Sequence, residues 1–397
     1  MNHQSNQLTY KKYLIPLIII TSLFFLWGFA RAILDVLNKH LQNNMHISLT
    51  QSALIQVTTY LGYFLMALPA GTYISKHGYR VGVVTGLLIF ALGAFLFIPL
   101  GAIGNYYYYL ISLFVIGCGL VFLEISANPY VTELGPSSTS ASRLNLAQSL
   151  NGMGCLFATL VVGQFFFSHG SGGSVVVPYT VLGVVVLCIA LVFSRISLPE
   201  IVHDDASSQN ENGSYATLLT NKKFVFGLTA LLMYEVAEIS INSYFINFVT
   251  AKDWMSDNTA SVILTVGLAL FMLGRFLGSW VMRYVKSWHV LAACALLCSV
   301  NMLVVLADFG RCSVVALTCN YLFEAIMFPT IFAMALSGLG GLTKRASSLL
   351  MMSPIGGCAF LAMGYLADKL NPVVPFIIPL VGYLVVFTFA VSAKKTA

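Results

Sequence analysis

The chain has 397 residues, of which 58% are hydrophobic and 9% charged, and its formal net charge is +6. Soluble domains carry about 25% charged residues, so this composition, with a mean hydropathy of +0.86, excludes a set of soluble domains. The positive balance lies in short loops between apolar stretches and does not argue for nucleic acid.

A membrane-spanning helix needs about 20 mostly apolar residues. Twelve such spans are predicted, at 13–38, 52–75, 81–101, 106–133, 144–168, 177–196, 223–249, 259–284, 288–307, 312–338, 346–367 and 373–392. They read as helices because backbone polar groups in hydrocarbon must be satisfied within their own segment. The short alternating strands of a closed barrel are missing from the pattern.

The first twelve residues are polar and lead straight into span 1, with no cleavage site after a short apolar core, so no removable signal peptide is expected. Span 1 contains FFLWGFARAILD, which sets Arg31 four residues before Asp35 on one helix face. Asp35 is either a cation-coupling carboxylate or half of a static ion pair with Arg31, or the pair opens and closes during a working cycle. Spans 2 and 3 are joined by GTYISKHGYR. Tyr60, Tyr63 and Trp27 are candidates to stack on a ring-shaped ligand, although most aromatics in such a chain face lipid or core. The run of four tyrosines at 106–109 reads as an interfacial belt at the start of span 4.

Span 4 carries Glu124, then Asn128 one turn later, then Pro129. A carboxylate in hydrocarbon is expensive and is usually kept for function. Glu124 is read as a group that bonds a ligand and is protonated in part of the cycle; the alternative is a structural carboxyl paired to another helix. Span 5 follows Arg143 and holds Gln148 and Asn151, at i and i+3 on one face. Amides offer donors and acceptors to a polyhydroxylated ligand, or bond helix to helix.

The stretch 198–222 is the longest polar run and reads as a flexible cytoplasmic linker between residues 1–197 and 223–397. Span 7 lines up Glu235, Glu238 and Asn242 on one face, which cannot face lipid. Span 10 holds Asn320 and Glu324 at i and i+4, followed by Pro329; the pair reads either as a ligand or cation contact of the second half or as a packing hydrogen bond, and Glu235 and Glu324 each add a possible coupling carboxylate. The pair Glu324–Pro329 repeats Glu124–Pro129 two hundred residues later, and Arg345 with Gly356 and Gly357 repeats Arg143 with Gly152 and Gly154. Such repeats point to two pseudo-symmetric six-helix bundles with sites converging near the midplane.

Of the 20 Lys and Arg residues, 15 fall on one side of the predicted spans, while Lys39, Lys252, Arg311 and Lys369 fall on the other and Arg31 lies within a span. The positive-inside rule puts both termini in the cytoplasm. Arg80, Arg143, Arg275 and Arg345 are expected at cytoplasmic ends, setting topology or pairing across the two halves. The eight cysteines are scattered without a CxxC, so no disulfide framework, metal site or cofactor is expected.

GTYISKHGYR resembles the loop 2–3 signature of the major facilitator superfamily, with Ser75 in place of its Asp and Tyr79 in place of its Arg. FFLWGFARAILD, LEISANPYVTELGP, RLNLAQSLNGMG, GRFLGSW and MFPTIF together resemble the fucose permease branch (fucose–galactose–hexose symporters) over nearly the whole chain. The resemblance implies that Asp35 and Glu124 carry proton coupling and sugar binding, and that Gln148 and Asn151 are the sugar-binding amides. Glu238 fits a family glutamate and Glu235 does not. Arg31 departs from a position that is commonly neutral, and an adjacent guanidinium favours the charged carboxylate.

The expected fold is all-α, with twelve transmembrane helices. The expected function is secondary active symport of a monosaccharide such as fucose, galactose, glucose or N-acetylglucosamine with a proton, by a monomer in the inner membrane. Sodium coupling and uniport remain as alternatives. A membrane-embedded lipid-linked transferase needs acidic metal-binding clusters, which the spans lack, and ATP-driven pumping needs a phosphate-binding loop that is missing.

Overall fold

The structure, a computed structural model, describes residues 7–45, 49–99, 106–168, 176–196, 199, 215–251 and 255–394. For Arg31, and for 33–45, 49–53, 55–56, 159–168, 251, 257–258, 261 and 360–361, it describes the backbone alone. The helices are α1 (Leu14–Met45), α2 (Leu49–Phe95), α3 (Tyr106–Glu133), α4 (Ser140–Ser168), α5 (Val176–Arg195), α6 (Tyr215–Thr220) and α7 (Lys222–Ala251). They continue as α8 (Asp257–Val281), α9 (Ser287–Leu306), α10 (Arg311–Glu324), α11 (Met327–Leu336), α12 (Thr343–Leu350), α13 (Phe360–Lys369) and α14 (Ile377–Ala393).

At about 1.5 Å per residue, α2 has more than twice the length needed to cross a hydrocarbon core of about 30 Å. It crosses twice. The helical path breaks at Gly78, whose φ of 85° suits a residue without Cβ. Both arms then lie against one helix: Gly62 packs on Phe114 and Cys118 of α3, and Gly93 packs on Ile116 of the same helix. The break falls in the predicted loop between spans 2 and 3.

Among the described residues, ten stretches are long and apolar enough to cross a membrane by length and composition. One of them, Val57–Pro99, holds two crossings, and α4 is a further crossing outside the ten. The fold is therefore the predicted twelve-crossing architecture, and no strand occurs among the described residues. Two predicted spans are not single helices. Span 10 is α10 and α11, interrupted at Ala325 and Ile326. Span 11 is α12 and α13 joined by a 3-10 segment, Ser353–Ala359, containing Pro354 and a Gly pair that weaken an α-helix. Within the predicted linker, α6 forms, and its Tyr215 hydroxyl lies 3.2 Å from Thr72 Oγ1 and 3.3 Å from Ser348 Oγ.

Large apolar side chains such as Leu65, Leu92, Val192, Leu303 and Val315 point outward, as lipid contact requires. The polar residues turn inward instead. The two halves meet along α4 and α8, which run antiparallel. Ser142 Oγ donates to the Ser279 carbonyl at 2.6 Å near one end, and Gly152 packs on Met272 further along.

Candidate functional site

Glu124 is buried in α3, and the Tyr63 hydroxyl of α2 donates to its Oε1 at 2.7 Å. Tyr63, a candidate to stack on a ligand, thus holds the carboxyl in place through its hydroxyl. Trp27 packs in the core of the first half, 4.1 Å from the Phe24 ring centroid. One turn after Glu124, Asn128 is fully buried; its Nδ2 lies 3.7 Å from Met351 Sδ, across the seam. Gln148 Nε2 donates to Asn128 Oδ1 at 3.4 Å. The structure thus gathers Glu124, Tyr63, Asn128 and Gln148 where α2, α3 and α4 meet the second half.

Asn151 behaves differently from Gln148. Its Nδ2 donates to the Phe24 carbonyl of α1 at 3.2 Å, a helix-to-helix bond. That contact is possible because Gly28 and Gly154 let α1 and α4 close up: a Cβ on Gly28 would stand 2.1 Å from the Asn151 carbonyl oxygen. The side chains of Arg31 and Asp35 lie outside the described residues, although both belong to α1.

In the second half, Glu324 and Asn320 are completely buried. Asn320 Nδ2 donates to Glu324 Oε2 at 2.8 Å and to the Tyr383 hydroxyl at 2.7 Å, and Tyr383 in turn donates to Glu324 Oε2. Tyr383, on α14, escaped the sequence reading; the only signal was a lone tyrosine in an aliphatic span, whose buried hydroxyl needs a partner. On α7, Glu235 is buried, Glu238 is half-buried, and Asn242 Nδ2 reaches Glu238 Oε1 at 3.5 Å.

The arginines correct a simple expectation. Arg143 is buried within its own half and caps α3: Nε donates to the Val131 carbonyl at 3.0 Å and Nη1 to the Pro136 carbonyl at 2.9 Å. It also reaches the Leu8 carbonyl and Thr139 Oγ1. Arg80 donates to the Ser194 carbonyl, also inside the first half. Arg275 is not at a helix end but inside α8, buried, and it crosses the seam. Its Nη1 donates to the Gln148 carbonyl at 3.1 Å, its Nε to the Ala325 carbonyl at 3.3 Å, and its guanidinium lies over the Phe271 ring.

Both prolines after the repeated glutamates have the same local effect. A proline has no N–H for the carbonyl four residues earlier. Pro129 frees the Ile125 carbonyl, which receives Ser347 Oγ of α12 at 3.4 Å. Pro329 frees the Ala325 carbonyl, which receives Arg275. In each half, the carbonyl next to the buried glutamate is handed to a side chain of another helix.

No group of three or more His, Cys, Asp or Glu suited to a metal ion occurs among the described residues. The arrangement offers carboxyls, amides and hydroxyls, which suit hydroxyl-bearing ligands and protons.

Comparison with known proteins agrees with this geometry. The family model described as Major Facilitator Superfamily matches residues 20–358. The chain is 33% identical over 416 residues to the L-fucose-proton symporter of Escherichia coli (strain K12), covering 98% of this chain and 95% of that protein. It is 32% identical over 397 residues to the Glucose/galactose transporter of Brucella abortus biovar 1 (strain 9-941), covering 97% and 96%. It superposes with a TM-score of 0.86 and 32% identity on the crystal structure of FucP in the outward conformation, over 96% of this chain and 99% of that one.

Proposed function

The chain belongs to the major facilitator superfamily, and from that premise we propose that it carries a monosaccharide across the inner membrane together with a proton. Both termini lie in the cytoplasm in this reading, as the loop charges favour. The two six-helix halves, residues 1–197 and 223–397, rock about the seam, and the protein works as a monomer.

The observation that carries this reading is Glu124. A buried carboxyl held by Tyr63, one turn from an amide pair, supplies a proton acceptor beside groups that bond hydroxyls. Relatives named a fucose-proton symporter and a glucose/galactose transporter support sugar as the cargo class. Asn128, Gln148 and Glu124 face the sugar in this proposal, with Glu238 and Asn242 opposite, while Asn151 holds α1 to α4. Asp35 shares the coupling role, and Arg31 sets how readily it gives up its charge. The cross-seam bonds of Ser142, Arg275 and Ser347 lie toward the ends where the basic loops gather. They close that side, so the site faces outward.

Proteoliposome uptake tests the reading. A counterflow screen with fucose, galactose, glucose and N-acetylglucosamine identifies the cargo. Imposed proton and sodium gradients then separate proton symport from sodium symport and from uniport. Glu124→Gln is expected to abolish accumulation driven by the gradient. Accumulation and exchange both unchanged in that variant overturn the assignment.

A further inference from the structure

We propose that Glu324 is a further proton-binding site, separate from Glu124 and Asp35, inside the second half and reached through Glu238. The proposal rests on the symport reading above but concerns a different carboxyl.

Glu324 Oε2 accepts from Asn320 and Tyr383, whereas Oε1 has no hydrogen-bond partner among the described residues. Of the other buried polar atoms in that condition, three lie around Glu324: Asn320 Oδ1 and the hydroxyls of Tyr321 and Tyr234. Buried polar atoms are nearly always paired, and each exception asks for a reason. Four around one carboxyl, with no solvent exposure of Glu324, describe a site whose pairing changes during the working cycle.

Groups of α7, α9, α10 and α14 face Glu324: Tyr321 and Asn320 share its own helix and Tyr383 lies on α14. Glu238 of α7 is within electrostatic reach of Glu324, and so are the hydroxyl of Tyr234 and the thiol of Cys298. Arg275 of α8 is the nearby cation, within reach of Tyr234 and bonded to carbonyls in both halves. A buried charge is costly unless it is paired or neutralised, and no cation bonds Glu324 among the described residues. Glu238 is half-buried and bonded to Asn242, so it connects the buried acid with water.

Position gives the proton leverage. Glu324 is the last residue of α10, and the helix resumes only at Met327. The next carbonyl, Ala325, binds Arg275, which binds Gln148 across the seam. A charge appearing on Glu324 acts directly on the break, and through Arg275 on the contact between halves.

Infrared difference spectra of the full-length protein in liposomes, recorded without sugar between acidic and alkaline pH, test this with the proton as probe. The expected result is a protonated-carboxyl band that fades at alkaline pH in wild type and in Glu124→Gln, and is missing in Glu324→Gln. Gln keeps the amide-like shape, and Tyr383→Phe gives a second reading by shifting that band. Identical titrating bands in wild type and Glu324→Gln, or a band untouched by Tyr383→Phe, overturn the proposal. Sugar-driven proton uptake in the same liposomes is read separately. Its absence in wild type defeats the symport reading and leaves the spectra to decide on Glu324.

Discussion

Ser347 Oγ lies 3.4 Å from the carbonyl oxygen of Ile125, the oxygen that Pro129 leaves without an intrahelical donor. Proline in the span thus prepares an acceptor at the seam, and a hydroxyl of the other half takes it. A buried carbonyl deprived of its donor loses about 1–3 kcal/mol. Ser347→Ala is expected to lower the unfolding temperature of the purified protein. In the Pro129→Ala background, where a backbone N–H is restored, the same change is expected to have little effect. Equal shifts in both backgrounds, measured as a double-mutant cycle, count against the relationship.

Tyr63 donates to Glu124 at 2.7 Å, and both are buried. A hydrogen bond to a charged group contributes about 1.5–3 kcal/mol, which corresponds to roughly tenfold or more in a rate or equilibrium. Tyr63→Phe keeps the ring and removes the donor. Proton-driven uptake is expected to fall by roughly that factor, with the amount of protein in the membrane unchanged. Unaltered uptake means that Tyr63 serves only packing.

Arg143 is 1% exposed and joins α3, the Pro136 turn and the N-terminal segment at Leu8. Lysine has three donors on one point and cannot span these acceptors, whereas guanidinium presents five in a plane. Arg143→Lys is therefore expected to lose about 3 kcal/mol or more, since several buried acceptors are orphaned at about 1–3 kcal/mol each. Fluorescence-detected size exclusion of the solubilised protein checks this. A normal monodisperse peak with an unchanged melting temperature contradicts it.

The crossings were legible because hydropathy and length decide them, and a span needs about 20 apolar residues whatever its neighbours do. Glu124, Asn128 and Gln148 were legible for a related reason: polar side chains in hydrocarbon must find one another. The breaks in spans 10 and 11 were harder to read. Pro329 acts on a carbonyl four residues away, and whether a helix bends or opens there depends on what fills the gap, here Arg275. Arg143 looked like one more loop charge because its partners are backbone carbonyls, which carry no sequence signature. For Asn151 the sequence left ligand contact and helix-to-helix bonding open, and the bond of its Nδ2 to Phe24 depends on the close approach of α1 at Gly28, which has no signature near Asn151.

Arg275 holds two acceptors from different halves, the carbonyls of Gln148 and Ala325. Opening the cytoplasmic side requires the Gln148 bond to break, because α4 and α8 must separate. The bond therefore contributes to the closed state and not to the open one, so weakening it shifts the population between them. Arg275→Lys keeps the positive charge but loses the planar fork that serves both oxygens. Loss of about 1.4 kcal/mol changes the ratio of states tenfold. The reporter is Ser142→Cys in a chain without its other cysteines: Ser142 is completely buried at the seam and bonded to Ser279. Its alkylation from the cytoplasmic side is expected to be slow, and to quicken several-fold to tenfold when Arg275→Lys is added. Equal labelling rates with and without that change mean that other contacts hold the seam and Arg275 merely fills it.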